Sequence, residues 1–71
     1  MVRIDFFYSG DREEPPHVHV ERDGAEAKFW LDPVRMQRSD GFTSRALRVI
    51  EAKVVDNQQL LLDAWDEFFR D

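Results

Sequence analysis

His17 and His19, the only two histidines of the chain, are separated by one valine in the run Pro15-Pro16-His17-Val18-His19-Val20. On an extended strand, residues i and i+2 point to the same side about 6.6 Å apart, close enough for two imidazoles to converge on one metal ion or one substrate oxygen. Two chemistries follow. In the first, His17 and His19 hold a divalent metal; Glu21 and Glu26 are imperfect further ligands, and Lys28 is a repelling neighbour. In the second, His17 and His19 act as acid and base in RNA phosphodiester cleavage, with Lys28 or an arginine steadying the phosphorane charge. Against both stands a third reading, in which His17 stacks on Trp30 and the pair supports a fold or a binding surface without chemistry.

The elements that would position these groups are legible. Asp23-Gly24 is a strong signal for a two-residue hairpin turn, and such a turn fixes every facing pair. Arg22 then faces Ala25, Glu21 faces Glu26, Val20 faces Ala27, His19 faces Lys28, Val18 faces Phe29 and His17 faces Trp30. Val18, Val20, Ala25, Ala27, Phe29 and Leu31 share one side. His17, His19, Glu21, Glu26, Lys28 and Trp30 share the other. The weak point is Glu21 opposite Glu26, a like-charge pair that costs some tenths of a kcal/mol if both are ionised.

Around the hairpin (17–22 and 25–31), Val2, Ile4, Phe6 and Tyr8 alternate with Arg3, Asp5, Phe7 and Ser9, which predicts a strand. Val34-Arg35-Met36-Gln37-Arg38 alternates weakly and could add a fourth, edge strand closed by Ser39-Asp40-Gly41. Thr43 is a good N-cap, and Phe42 before it can pack on Leu47 as a hydrophobic staple. Leu47, Ile50, Val54, Asn57, Leu61, Ala64 and Phe68 then recur at helical spacing, with Trp65 and Phe69 widening the stripe. One long or slightly kinked helix over about 44–70 is the expectation; a bend around Asp56-Asn57-Gln58-Gln59 is the alternative. A continuous helix of that length is about 40 Å long, against a radius of gyration near 11 Å for a domain of this size by the usual scaling. Its aromatic end, Leu61, Trp65, Phe68 and Phe69, is therefore expected to meet a partner, or else to fold back on the sheet.

Composition narrows the function classes. The 71 residues permit one domain (1–71) with a thin core, and nine aromatic residues supply much of its buried area. With no cysteine there is no disulfide framework, thiolate nucleophile or Cys-containing zinc site. No segment approaches the ~20 apolar residues of a membrane span, and the N-terminus lacks a signal-peptide run, so a cytoplasmic protein without membrane contact is expected. The formal net charge of −5 opposes nucleic acid at long range. Locally the balance reverses: Arg35, Arg38, Arg45 and Arg48 lie in a stretch whose only acid is Asp40, and with Trp30 they form a candidate binding set for RNA or an acidic protein. Ser9, Ser39, Thr43 and Ser44 sit in turn or capping contexts, and no glycine-rich phosphate loop exists.

The combination Pro15-Pro16-His17-Val18-His19-Val20, Ala27-Lys28-Phe29-Trp30-Leu31, Pro33-Val34, Gly41-Phe42 and Leu60-Leu61-Leu62-Asp63-Ala64-Trp65 resembles the small bacterial domain-of-unknown-function family 4160 over nearly the whole chain. Members commonly open the helix with a Ser-x-x-Glu capping box, where this chain has Thr43 and Ala46. The resemblance implies a short prokaryotic protein, often encoded beside a second small protein and for that reason read as half of a toxin–antitoxin pair, with no established activity. The expected architecture is thus α+β, a three- or four-stranded antiparallel sheet on a long C-terminal helix. Its expected role is one component of a two-protein module, with RNA as a further target; no cofactor is needed. Self-association is the other partner expected, and a stand-alone His-x-His metal-binding or hydrolytic enzyme is the rival.

Overall fold

Asp23 and Gly24 both adopt positive φ, 48° and 83°, the geometry of a two-residue turn whose twist matches its flanking strands. The turn joins strand β1 (His17–Arg22) to strand β2 (Ala25–Leu31). Their antiparallel register is the one the turn predicts, from His17 opposite Trp30 to Arg22 opposite Ala25. The computed structural model describes residues 13–69, so the strand expected at Val2–Tyr8 lies outside the described residues. A third strand, β3 (Val34–Asp40), pairs antiparallel with β2, giving the order β1-β2-β3. It runs to Asp40, two residues beyond the expected Arg38.

β3 carries an irregularity that its sequence conceals. Lys28 faces Arg38 and Phe29 faces Met36, so Gln37 is an extra residue in the ladder. A bulge of this kind shifts the alternation by one. Val34 and Met36 therefore accompany Leu31 and Phe29 on the apolar side, while Arg35 and Arg38, of opposite parity in the sequence, both join Trp30 and Lys28 on the polar side. The weak alternation of this segment is the trace of that shift. It also brings Arg38 within 3.0 Å of Glu26, placing a cation beside the Glu21–Glu26 pair.

Helix α1 (Ser44–Asp56) starts where the sequence predicts: the Thr43 hydroxyl accepts the Ala46 N–H at 3.0 Å. Phe42 and Leu47 both pack against the core. The single helix expected over 44–70 is instead two, α1 and α2 (Gln58–Phe69), parted at Asn57. Asn57 has φ −113° and ψ 16°, and its side-chain amide donates to the Lys53 carbonyl at 2.7 Å, which competes with regular helical bonding. Directly after the break, Gln58 Nε2 donates to the Leu31 carbonyl at 2.6 Å, tying the start of α2 to the end of β2. The bend lets both helices serve one core. Ile50 and Val54 of α1 and Leu61 of α2 close over Val18, Val20, Ala27, Phe29 and Leu31, all buried. Each of these Val, Leu, Ile and Phe side chains contributes about 1.5–3 kcal/mol; β3, exposed along most of its length, adds little. The radius of gyration is 11.6 Å, and among the described residues no helix is long and apolar enough to cross a membrane.

Gly41 links β3 to the helix cap. Its φ is 92°, and a Cβ there would stand 3.1 Å from the Cβ of Ala25. Both facts oppose a side chain. Gly41→Ala should therefore cost about 1 kcal/mol or more, lowering Tm by roughly 4–8 °C for a domain of this size, whereas Gly24→Ala meets no neighbour within 4 Å and should lose only its left-handed backbone preference; thermal melts of the two variants check the order.

Candidate functional site

The polar side of the sheet divides into a closed half and an open half. His17 belongs to the closed half and is fully buried, whereas His19 is half-buried. Pro16 begins the local order: its carbonyl accepts the Leu31 N–H at 3.0 Å, and His17 Nδ1 lies 2.9 Å from the Pro15 carbonyl. A carbonyl can only accept, so Nδ1 carries a proton. Among the described residues the imidazole meets three rings, with centroids 5.8 Å away for Trp30, 5.2 Å for His19 and 4.8 Å for Trp65. Trp65 comes from α2 and is 7% exposed. Its indole packs on the face of the hairpin that sequence alone left uncovered.

Lys28 is equally committed. Its ammonium donates to Glu14 Oε1 at 2.7 Å, lies 4.9 Å from the Trp30 ring centre and is largely buried. A buried ammonium without an anion is costly, so Glu14 is what permits Lys28 at this position. Among the described residues, no group of three or more histidines, cysteines, aspartates or glutamates is placed to hold a metal ion. His17 and His19 stand as a pair, with Lys28 directly opposite His19. The three proposed catalytic groups are therefore neighbours, yet two of them are held inside the structure by partners of their own.

The open half lies across the ends of β2 and β3. There Pro15, Trp30, Asp32, Pro33, Arg35, Met36 and Gln37 line a groove of about 380 Å³. The Asp32–Pro33 peptide at its rim is cis. Of the candidate binding residues, Trp30 and Arg35 line this groove and Arg38 shares their side of the sheet. Arg45 and Arg48 do not join them. Both are exposed on α1, and Arg48 lines a separate cleft of about 260 Å³ with Phe29, Met36 and Leu47 on the apolar side. The five-residue binding set is thus split between two surfaces. Arg38 is paired with Glu26, whereas Arg35 forms no ion pair among the described residues.

The aromatic helix end is also divided. Leu61 and Trp65, expected at a partner interface, are buried at 2% and 7% exposure inside this chain, while Phe68 is 59% exposed. Phe69 bridges them, 4.3 Å from Trp65 and 5.0 Å from Phe68. Met36 and Gln37 were not legible as groove residues, because only the bulge brings them to that edge. Glu14 carried no signal at all in a charged loop.

A family model described as Domain of unknown function (DUF4160) matches residues 3–66. No curated protein and no solved structure shows significant similarity.

If His17 serves packing, its removal should register first as lost stability. His17→Ala deletes the contacts with Trp30, His19 and Trp65 and a partly buried hydrogen bond, and should destabilise by about 2–4 kcal/mol, while His19→Ala, at a half-buried position, should cost clearly less; urea denaturation of the two variants measures the difference.

Proposed function

The chain belongs to the DUF4160 family of domains of unknown function, and from the two halves of its polar face we propose that it is a non-catalytic protein-recognition component of a two-protein, toxin–antitoxin-like assembly in the cytoplasm, with the open groove as its contact surface. The observation that carries this reading is the groove's composition. Trp30 and Arg35 are residue types enriched at the centres of protein interfaces, and here they face one another across β2 and β3, between Pro15 and Pro33, with a guanidinium that forms no ion pair among the described residues.

The charge pattern favours a protein over RNA. A polyanion site needs cations free to displace counterions, but Lys28 is engaged by Glu14 and Arg38 by Glu26. Asp32 adds a negative charge to the groove, within a chain of formal net charge −5. The catalytic reading of His17, His19 and Lys28 meets a similar obstacle, since a phosphodiester would have to displace Trp65 from His17 and Glu14 from Lys28.

Co-expression with the small protein encoded beside it should yield a complex that co-elutes in size-exclusion chromatography. Trp30→Ala and Arg35→Ala, with unchanged circular dichroism, should each weaken that complex by about tenfold or more, the scale of central interface residues. A complex indifferent to both changes would exclude this surface. RNA cleavage by the purified chain, lost in folded His19→Ala, would establish the enzyme instead.

A further inference from the structure

The groove and the smaller cleft on the other side of the sheet meet at one residue. Met36 lines the groove with Trp30 and Arg35 on the polar side and the cleft with Leu47 and Arg48 on the apolar side, and it is 41% exposed. Between the two hollows runs the outer edge of β3. Among the described residues no strand pairs with that edge. The direction of its backbone groups follows from the ladder, because in an antiparallel sheet the N–H and C=O of one residue point to the same side and successive residues alternate. Leu31 donates its N–H to Pro16 on the β1 side, so Trp30 turns toward β3 and exchanges bonds with Arg35, which faces it. Met36, the next residue of β3, therefore presents its N–H and C=O outward. The bulge begins only after it, at Gln37.

We propose that the partner protein recognised at the groove contributes an extended segment of alternating acidic and apolar residues, which pairs with the free edge of β3 at Met36 as the next strand of the sheet. This inference rests on the groove being a protein-recognition surface and names the chemistry of its occupant. In strand addition of this kind, main-chain hydrogen bonds supply affinity and side chains on alternate faces supply the choice of sequence. Here the two faces differ. The polar side offers Arg35, and the apolar side offers Met36 beside the half-buried Leu47, with Arg48 lining the same cleft. Neither guanidinium forms an ion pair among the described residues. A segment with carboxylates on the first side and aliphatic side chains on the second matches both, and Arg48 strengthens the attraction for an acidic chain.

Charge selects this occupant over a second copy. Edge-to-edge pairing of two β3 strands would set Arg35 and Arg38 against the same residues of the other copy, and cations on an edge strand are a common guard against such pairing. An acidic strand meets no such barrier. Asp32 and Glu51, which line the two hollows, repel carboxylates in turn, so the acidic residues must align with the arginines and the register is restricted. A nucleic acid cannot continue a sheet ladder and would leave the outward groups of Met36 unused.

The probe is the end-blocked synthetic peptide EVEVEVE, fluorescently labelled and titrated with the full chain to about 1 mM, where even weak recognition registers. Two control peptides accompany it: EEEEVVV keeps the composition without the alternation, and KVKVKVK keeps the alternation with the charge reversed. EVEVEVE should bind, and in amide NMR spectra its largest shifts should fall on Met36 and its neighbours in β3. Each control should bind at least roughly tenfold more weakly. Arg35→Glu and Arg48→Glu should each weaken EVEVEVE by about fivefold or more. Met36→Pro removes the outward N–H, a change that an edge strand accommodates, and should abolish binding. If circular dichroism shows that Met36→Pro disturbs the fold, the arginine variants and the control peptides still decide.

No binding of EVEVEVE, equal binding of EEEEVVV, shifts confined to other elements, or indifference to both arginine changes would each overturn the proposal. So would an oligouridylate that shifts the same amides, or self-association of the chain through this edge. The complex with the neighbouring gene product separates the two readings. If it depends on Trp30 and Arg35 but survives folded Met36→Pro and is not displaced by EVEVEVE, only strand addition fails; if it is indifferent to Trp30 and Arg35 and the peptide does not bind, both fail.

Discussion

The left-handed pair Asp23 and Gly24 is the constraint on which the rest depends, because it fixes which side chains of β1 and β2 stand opposite one another. A slip of one residue would exchange the two faces. It would place His17, His19 and Lys28 against α1 and expose Val18, Val20 and Phe29. With the register held, the apolar set meets Ile50, Val54 and Leu61 in a single core, and the polar set forms a surface that other parts of the chain then modify. Trp65 closes one end of that surface. Trp30 and Arg35 leave the other end open.

Closing the histidine end has a chemical consequence. An imidazole that is to shuttle protons needs a substrate within hydrogen-bond reach, and His17 instead has the Pro15 carbonyl at Nδ1 and the rings of Trp30, His19 and Trp65 around it. The residue types that suggest catalysis are the same ones that make a good linchpin: a flat ring with a polar edge can satisfy a partly buried carbonyl and still pack against two indoles. His17 thus joins the start of β1, the end of β2 and the second helix. What remains accessible on this face is an amphipathic hollow with interface chemistry.

The hairpin was readable residue by residue because a two-residue turn leaves no freedom in pairing, and the Thr43 cap was readable because its signal is local. The bulge and the burial of His17 escaped, and the break at Asn57 was legible only as the alternative to a continuous helix, because each depends on a single extra residue or on side-chain contacts that no hydrophobic period records. The bulge at Gln37 defeats a period-two reading, since Arg35 and Arg38 differ in parity and still share a side. The break at Asn57 leaves the hydrophobic stripe intact and depends on side-chain amides reaching the Lys53 and Leu31 carbonyls from Asn57 and Gln58. The burial of His17 depends on Trp65, which the stripe identified as apolar without indicating what it would cover. For the site, then, His17, His19, Lys28, Trp30 and Arg35 were visible from the start, whereas Glu14, Gln37 and the division into a closed and an open half were not.

The two tryptophans report that division directly, one in each half. Acrylamide quenching of single-indole variants, Trp65→Phe to observe Trp30 and Trp30→Phe to observe Trp65, should be made at submicromolar concentration, where self-association does not shield the groove. The account predicts that Trp30 is quenched several times more readily than Trp65. Equal quenching, or a more accessible Trp65, would mean that the histidine end is open and that the closed and open halves described above do not exist.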